Sequence, residues 1–190
     1  MTSPLLRAEH VSVNRSGKTV GPWSLTAGPG DLVVVCGANG SGKSTLLRML
    51  AGLIPADHGV LTLSPGPIGL APEPFIPPAG LRVRELFALI TSTRESIDVV
   101  TDSLALAVLT DRVVSTLSRG ERKRVVIAQA LLDSPPIVLL DEPLEGLDLP
   151  SQQQVLDAVG AHVRSGGCAI IATHRPEAWT ATQRVDVGGV

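Results

Sequence analysis

One segment restricts the possible folds of this chain more than any other, a glycine-rich loop at residues 37–45. The apolar residues 31–36 before it are rich in β-branched side chains and predict a buried strand. Residues 44–51, at its end, carry leucines at helical spacing and predict a helix. The loop matches the spacing G-x-x-x-x-G-K-[ST], in which backbone N–H groups and a helix N-terminus face one anion. The sequence therefore predicts a strand–loop–helix unit that binds phosphate.

The candidate nucleotide-binding residues of this loop are Asn39, Gly40, Ser41, Gly42, Lys43, Ser44 and Thr45. Lys43 is expected to reach the β and γ phosphates, and the Ser44 hydroxyl is expected to ligate Mg²⁺. The alternative interpretation is a glycine-rich turn that happens to contain a lysine. The strand and helix predicted on either side favour the phosphate loop over that alternative.

A second apolar run, at residues 137–140, ends abruptly in Asp141 and Glu142, which are followed by a proline. Buried carboxylates are costly unless they are paired or bound to a metal. Asp141 is expected to hold Mg²⁺, directly or through water, and Glu142 to orient or deprotonate an attacking water. An Asp–Glu pair that caps a helix is the alternative. Together with the phosphate loop, the pattern favours nucleotide hydrolysis.

Composition excludes several other classes of protein. The 190 residues include 16 basic and 18 acidic side chains and only 2% aromatics, so we expect no nucleic-acid partner. Mean hydropathy is +0.28, but the apolar runs are far shorter than the roughly 18 residues that a membrane-spanning helix needs. No secretory signal is visible at the start. Cys36 and Cys168 are expected to be packed thiols of a reducing cytosol.

Strand-like and helical patterns alternate along the chain, which predicts an α/β fold with a mainly parallel sheet in a single domain over residues 1–190. Two strand-like stretches come first, and a helical stretch that is a candidate inserted lobe lies in the middle. The strands are expected at 6–13, 19–26, 31–36, 60–63, 68–70, 137–140 and 168–173, and the helices at 44–51, within 81–114, at 121–132 and after Pro150.

The segment Leu117-Ser118-Arg119-Gly120-Glu121, directly before a helix, resembles the signature motif of the ATP-binding cassette (ABC) ATPases, usually Leu-Ser-Gly-Gly-Gln. Ser118, the Gly120 backbone and a helix N-terminus would make a second anion site. In that family the motif faces the γ-phosphate of ATP bound to a second subunit. Arg119 and Glu121 depart from the pattern; Glu121 suits the first helical turn, and Arg119 is either solvated or a phosphate contact.

Two further segments match the family in order. Gly146-Leu147-Asp148 follows the Asp–Glu pair as the D-loop does, which implies that Asp148 communicates across a dimer. His174, in Ala-Thr-His, resembles the switch histidine that contacts the γ-phosphate and holds the attacking water. A lone histidine at the end of a strand is more often structural, but its place after Asp141 and Glu142 favours the functional interpretation.

Two further positions depart from the family. Glu73 stands where the Q-loop usually has a metal-contacting glutamine; a carboxylate can still ligate Mg²⁺ but cannot donate a hydrogen bond. Arg15 stands where an aromatic residue usually stacks on adenine. Its guanidinium could stack on the base with loose base selectivity, or it could point to solvent with Trp23 or nothing covering the base.

The resemblance implies a P-loop NTPase core with a mainly parallel sheet, an N-terminal antiparallel β subdomain and an inserted α-helical lobe at about 74–116. It implies ATP and Mg²⁺ as cofactors, and two partners: a second ABC ATPase domain, identical or not, and a separate transmembrane transporter subunit. The chain would then lie on the cytoplasmic face of the cell membrane. Because 16 residues follow His174, we expect no C-terminal regulatory domain.

The apolar segment 75–78 is either the place that receives the membrane partner or an ordinary packed loop. Two alternative functions stay open at this point. One is a soluble ABC ATPase outside transport, for example in cofactor assembly, and the other is a regulatory nucleotide-binding module with little hydrolysis. Intact Lys43, Asp141, Glu142 and His174 argue against the second.

Overall fold

The computed structural model describes residues 3–15, 17–76, 78 and 80–188. Within them, the predicted strands and helices occur in the predicted order, and one further strand, Gln183–Asp186, follows them. The strands are β1 (Leu6–Arg15), β2 (Lys18–Ala27), β3 (Leu32–Cys36), β4 (His58–Leu63), β5 (Ile68–Ala71), β6 (Ile137–Asp141), β7 (Cys168–Thr173) and β8 (Gln183–Asp186). The α-helices are α1 (Lys43–Leu50), α2 (Val83–Ala88), α3 (Arg94–Ser103), α4 (Arg119–Leu131) and α5 (Leu149–Arg164).

The strands form two sheets. A five-stranded sheet has the order β5-β6-β7-β3-β8, and every neighbouring pair in it is parallel. A three-stranded sheet has the order β2-β1-β4 and is antiparallel. The predicted fold class, an α/β core with a mainly parallel sheet and an antiparallel β subdomain near the N-terminus, is therefore confirmed.

The parallel sheet is covered on both faces, which explains why its central strands are almost continuously apolar. In β3, Val33 and Val35 pack with α1 and the antiparallel sheet, whereas Leu32 and Val34 face α4 and α5. This alternation follows from the two-residue period of a strand. Two hydrophobic clusters, one on each face, hold the sheet at a fixed position between its helices.

The carboxyl ends of β3, β6 and β7 meet at one edge of the parallel sheet. Cys36 pairs with Thr173, and Asp141 pairs with Ala172. The glycine-rich loop that follows β3, the carboxylates at the end of β6 and His174 after β7 are thereby brought together, although they are far apart in sequence. Clefts at such carboxyl edges are the usual ligand sites of open α/β sheets.

The middle of the chain is less regular than its neighbours. Residues 81–114, predicted to be helical in two segments, contain the short helix α2 and the helix α3. An inserted lobe over 74–116 stays a prediction. No helix among the described residues has both the length and the apolar character required to cross a bilayer.

The two cysteines are free thiols at the ends of neighbouring strands. Burial raises the pKa of the Cys168 thiol to about 12, so this residue stays protonated at neutral pH. Burial also raises the pKa of Cys36, with the nearby Asp186 carboxylate adding to the effect. Both shifts work against thiolate formation, in keeping with packed rather than reactive thiols.

Candidate active site

A pocket of about 240 Å³ lies at the carboxyl edge of the parallel sheet. It brings together residues from the loop after β3, the segment after β5 and the end of β6. Its lining consists of Asn39, Gly40, Gly42, Lys43, Ser44, Thr45, Glu73, Asp141 and Glu142. The sequence patterns predict a site role for every one of these residues.

The loop before α1 depends on glycine at position 42. Gly42 has φ +102°, a left-handed conformation that favours glycine, and α1 begins at the next residue. A Cβ at this position would lie 2.6 Å from Val20 and 2.9 Å from Trp23, so the loop packs directly on β2. Trp23 is buried beneath the loop, with 6% of its surface exposed, and is not available to cover a nucleotide base.

Lys43 is a buried cation, with 6% of its surface exposed. Its Nζ donates hydrogen bonds to the carbonyls of Gly37 at 2.8 Å and Ala38 at 3.1 Å, and it lies 3.8 Å from Oε1 of Glu142. The loop carbonyls and the carboxylate hold the ammonium group inside the pocket. A cation in this place is suited to phosphate oxygens.

Asp141 is buried at the end of β6. Burial raises the pKa of its carboxyl, a hydrogen bond from the Ser44 hydroxyl lowers it, and the charge of Glu142 raises it further. The Ser44 hydroxyl and the Asp141 carboxylate are adjacent oxygen donors of the kind that Mg²⁺ prefers. The residues present therefore fit a magnesium ion.

The loop also fits a phosphate group. Among the described residues, the Ser41 hydroxyl is a buried polar group without a hydrogen-bond partner. A Cβ at Gly40, which has φ +81°, would meet open space, so glycine serves the backbone conformation there. Lys43, the unpaired hydroxyl and the N-terminus of α1 supply donors for an anion.

Glu142 is held in one orientation by hydrogen bonds to its backbone and to its carboxylate. Its φ is +45°, and its N–H donates to the carbonyl of Ala172 at 2.8 Å. Its carboxylate accepts from Thr173 Oγ1 at 3.1 Å and from the His174 N–H at 3.0 Å. Nδ1 of His174 lies 2.9 Å from Oε2 of Glu142. A non-glycine residue kept in the left-handed region by its surroundings is typical of functional sites.

Lys123 is a residue that the sequence analysis did not select. It lies on α4 with 8% of its surface exposed, and its ammonium group contacts the Glu73 carboxylate. It also donates to the carbonyl oxygen of Glu142 at 3.1 Å. One signal was available, since a lysine three residues after Gly120 lies about one helical turn from it, on the same side of α4.

The structure places Ser118, Gly120 and Asp148 outside the lining of the pocket. Ser118 caps α4 by accepting from the Glu121 N–H at 3.2 Å, and Asp148 caps α5 by accepting from the Ser151 N–H at 2.9 Å. A Cβ on Gly120 would lie 3.5 Å from Leu147, so the start of α4 and the 146–148 segment form one surface. These caps account for the lowered pKa of Glu121 and of Asp148, through hydrogen bonds with Ser118 and Ser151 respectively.

Arg15 ends β1 and is exposed, with its Nη1 3.4 Å from the Thr45 hydroxyl. The guanidinium therefore lies at the side of the phosphate loop. Arg119, which also departs from the family pattern, is paired with Glu145 at 3.1 Å and lies 3.8 Å from Glu73.

A parallel sheet with a glycine-rich loop after β3, a buried lysine in that loop and a carboxylate pair at the end of β6 defines a P-loop nucleoside triphosphatase. Residues 117–121, at the start of α4, resemble the signature motif of the ABC ATPases, which narrows the class to that group of P-loop proteins. The sequence profile of the ABC transporter family matches residues 20–145, and the chain belongs to that family.

Relatives and solved structures agree with this assignment. The chain is 35% identical to a zinc import ATP-binding protein, ZnuC, from Ruegeria pomeroyi, over 90% of this chain and 69% of the relative. It is 32% identical to a cytochrome c biogenesis ATP-binding export protein, CcmA, from Cupriavidus necator, over 96% of this chain and 88% of the relative. A solved ATP-binding subunit of an ABC transporter has the same fold, with a TM-score of 0.81 at 21% identity over 90% of this chain and 79% of the other.

Proposed function

We propose that this chain binds Mg²⁺ and ATP in the pocket at the sheet edge, hydrolyses the ATP, and thereby drives transport through a separate membrane subunit. The observation that carries the proposal is the position of the Glu142 carboxylate. It lies 2.9 Å from Nδ1 of His174 and 3.8 Å from Nζ of Lys43, in a pocket that the phosphate loop lines. A fixed carboxylate beside a phosphate site is suited to activate water.

Residues 39–45 are proposed to bind the phosphates, with Lys43 on the β and γ groups. Ser44 and Asp141 are proposed as Mg²⁺ ligands, and Glu73, which lines the same pocket, as a further one. When bound, Mg²⁺ neutralises charge on the phosphate oxygens. Arg15, beside Thr45, is proposed to contact the nucleotide at the edge of the loop.

Glu142 is proposed to take a proton from the attacking water, and His174 to keep the carboxylate and the water aligned. The hydrogen bonds from Thr173 and from the His174 backbone supply the orientation before any substrate enters. Preorganised groups of this kind avoid the cost of reorganisation during the reaction.

Ser118, Gly120 and Asp148 are proposed to act on a nucleotide held by a second ABC ATPase domain. Their surface lies outside the pocket lining in this chain, and the N-terminus of α4 with its Ser118 cap is suited to an anion. A working unit would then contain two such domains, which close on ATP and reopen after hydrolysis.

Coupling to transport is proposed from the relatives, whose names describe zinc import in one case and cytochrome c biogenesis export in the other. The chain would bind its membrane partner from the cytoplasmic side. Phe75 and Ile76 are candidate contacts for that partner, since Ile76 is 84% exposed and follows the pocket residue Glu73 by three positions. Pro77, in the same predicted patch, lies outside the described residues.

A test of nucleotide binding uses Lys43→Met. Loss of the buried ammonium group should weaken ATP binding by at least roughly tenfold, because one charge-assisted contact to phosphate is removed. Lys18→Met, on an exposed lysine of β2, is the matched control and should bind as the parent does. Equilibrium titration with a fluorescent ATP derivative measures both. Equal affinity of parent and Lys43→Met would contradict the proposed site.

A further inference from the structure

Glu73 and Lys123 form a pair that joins two separate elements of the site. Glu73 follows β5 and lines the nucleotide pocket, while Lys123 lies on α4 behind it. The Lys123 ammonium contacts the Glu73 carboxylate, and 7% of the lysine side chain and 29% of the glutamate side chain are exposed. Breaking such a pair on one side leaves an uncompensated charge in a poorly solvated place.

The pair also decides the charge balance of the pocket. Glu73, Asp141 and Glu142 are the carboxylates of its lining, and Lys43 is the cation of its lining. A triphosphate would add further negative charge to this set. Lys123 lies just behind the lining and supplies the nearest positive charge to Glu73. Arg119 lies 3.8 Å from the same carboxylate, but its side chain is 64% exposed and pairs with Glu145 at 3.1 Å. A glutamine at position 73 would need no such partner.

Lys123 has a second contact that ties it to the proposed hydrolytic carboxylate. Its Nζ donates to the carbonyl oxygen of Glu142 at 3.1 Å, while the N–H of Glu142 donates to Ala172. Both sides of this left-handed residue are thereby anchored. The single ammonium group links the segment after β5 to the peptide that carries Glu142.

We infer that Lys123 is a positioning residue for the nucleotide site, and that Glu73 and Lys123 act as one charge-balanced pair that sets the affinity of the pocket for triphosphate. The inference rests on the proposed function, since it concerns the same pocket. It accounts for the presence of a glutamate at a position where the family pattern predicts a neutral side chain.

The experiment measures the affinity of the full chain for N-methylanthraniloyl-ATP in EDTA at low ionic strength, so that metal ligation by Glu73 does not contribute. Lys123→Gln should weaken binding by roughly 3- to 10-fold, because an unbalanced carboxylate then faces the triphosphate. Glu73→Gln should tighten binding by a similar factor, because Lys123 is then unbalanced. The double variant Glu73→Gln/Lys123→Gln should return close to the parental affinity.

Arg94→Gln and Asp98→Asn are the controls for net charge. They make the same charge changes in an exposed ion pair on α3, and should leave the affinity unchanged. Lys123→Arg keeps the charge and should bind nearly as the parent does. If Lys123→Gln does not fold, the inference is tested by the tighter nucleotide binding expected of Glu73→Gln and by the near-parental affinity expected of the double variant.

The outcomes separate this inference from the proposed function. Failure of the parent to bind the nucleotide at all would contradict the proposed function. Two results with a parent that binds would overturn the inference alone. In one, the affinities of both single variants shift in the same direction; in the other, the affinities of the control variants shift as much as those of the single variants. A purely structural ion pair would lower the unfolding temperature of both single variants without opposite shifts in affinity.

Discussion

Asp141 is a buried carboxylate whose ionised form is unfavourable in the folded chain, because burial raises its pKa. For a carboxyl with a raised folded pKa, the favourable contribution is present at low pH and is lost as the pH rises through that pKa. At neutral pH the residue therefore costs stability, which its proposed metal role explains.

Asp141→Asn should consequently stabilise the nucleotide-free chain at pH 7, with a rise in unfolding temperature on the order of 2 °C. The same variant should lose the increase in ATP affinity that Mg²⁺ gives. Differential scanning calorimetry measures the first effect, with Asp98→Asn, on an exposed side chain, as the control. A lower unfolding temperature for Asp141→Asn would contradict the argument.

His162 gives the chain a pH dependence of the opposite sense. It is buried on α5, and burial lowers the pKa of its imidazole. A histidine with a depressed folded pKa contributes stability that is present above its unfolded value of about 6.5 and is lost as the pH falls below it. Protonation in this apolar place is costly.

Thermal unfolding between about pH 7 and pH 5 should therefore be less steeply pH-dependent in His162→Phe than in the parent. The phenyl ring keeps the size of the side chain and removes the proton-binding group. His58→Phe, at an exposed position of β4, is the control. Parallel pH profiles for His162→Phe and the parent would show that His162 does not carry this dependence.

The sequence predicts best those site residues whose role can be inferred from the strand or helix next to them in the chain. Lys43 and Ser44 follow from a loop with a strand before it and a helix after it, and Asp141 and Glu142 follow from the abrupt end of an apolar strand. Lys123 could not be predicted in this way, because its contact with Glu73 spans 50 residues and depends on how α4 packs. The burial of Trp23 beneath the phosphate loop likewise could not be predicted, because it depends on how the loop packs on β2.

At the level of elements, β8 is the strand that the sequence analysis missed. Its residues, Gln183–Asp186, include polar and charged side chains and are mostly exposed. It forms an edge of the parallel sheet beside β3, where its side chains are mostly exposed, so burial does not require an apolar sequence there. The central strands could be predicted because burial on both faces demands continuous apolar sequence.

Close packing of α4 on β5 gives a prediction at the same scale. A Cβ at Gly69 of β5 would collide with the backbone carbonyl of Ala130 on α4. Gly69→Ala should therefore destabilise the chain by about 1–3 kcal/mol, since the helix must move away from the sheet. Chemical denaturation measures the loss. Gly28→Ala, where the nearest atom to the added Cβ is 3.6 Å away, should cost much less, and equal costs would contradict the packing argument.

At the scale of the whole molecule, the nucleotide pocket and the signature-like surface lie at different places on one chain. The pocket contains Lys43 and Glu142, whereas Ser118 and Asp148 cap helices outside its lining. Two chains that face each other could combine both parts around each nucleotide. Hydrolysis in the pocket of one chain would then depend on the association of that chain with a second one.

The most direct test of the account is the rate of Mg²⁺-dependent ATP hydrolysis by Glu142→Gln, measured beside the parent at saturating ATP. The amide keeps the size of the side chain but cannot accept the proton, so hydrolysis should slow by roughly 10²- to 10⁴-fold while ATP affinity is retained. Glu95→Gln, which removes an exposed carboxylate of α3 that does not line the pocket, is the control and should hydrolyse ATP at a rate near the parental one. A parental rate of hydrolysis by Glu142→Gln would show that Glu142 does not activate the attacking water.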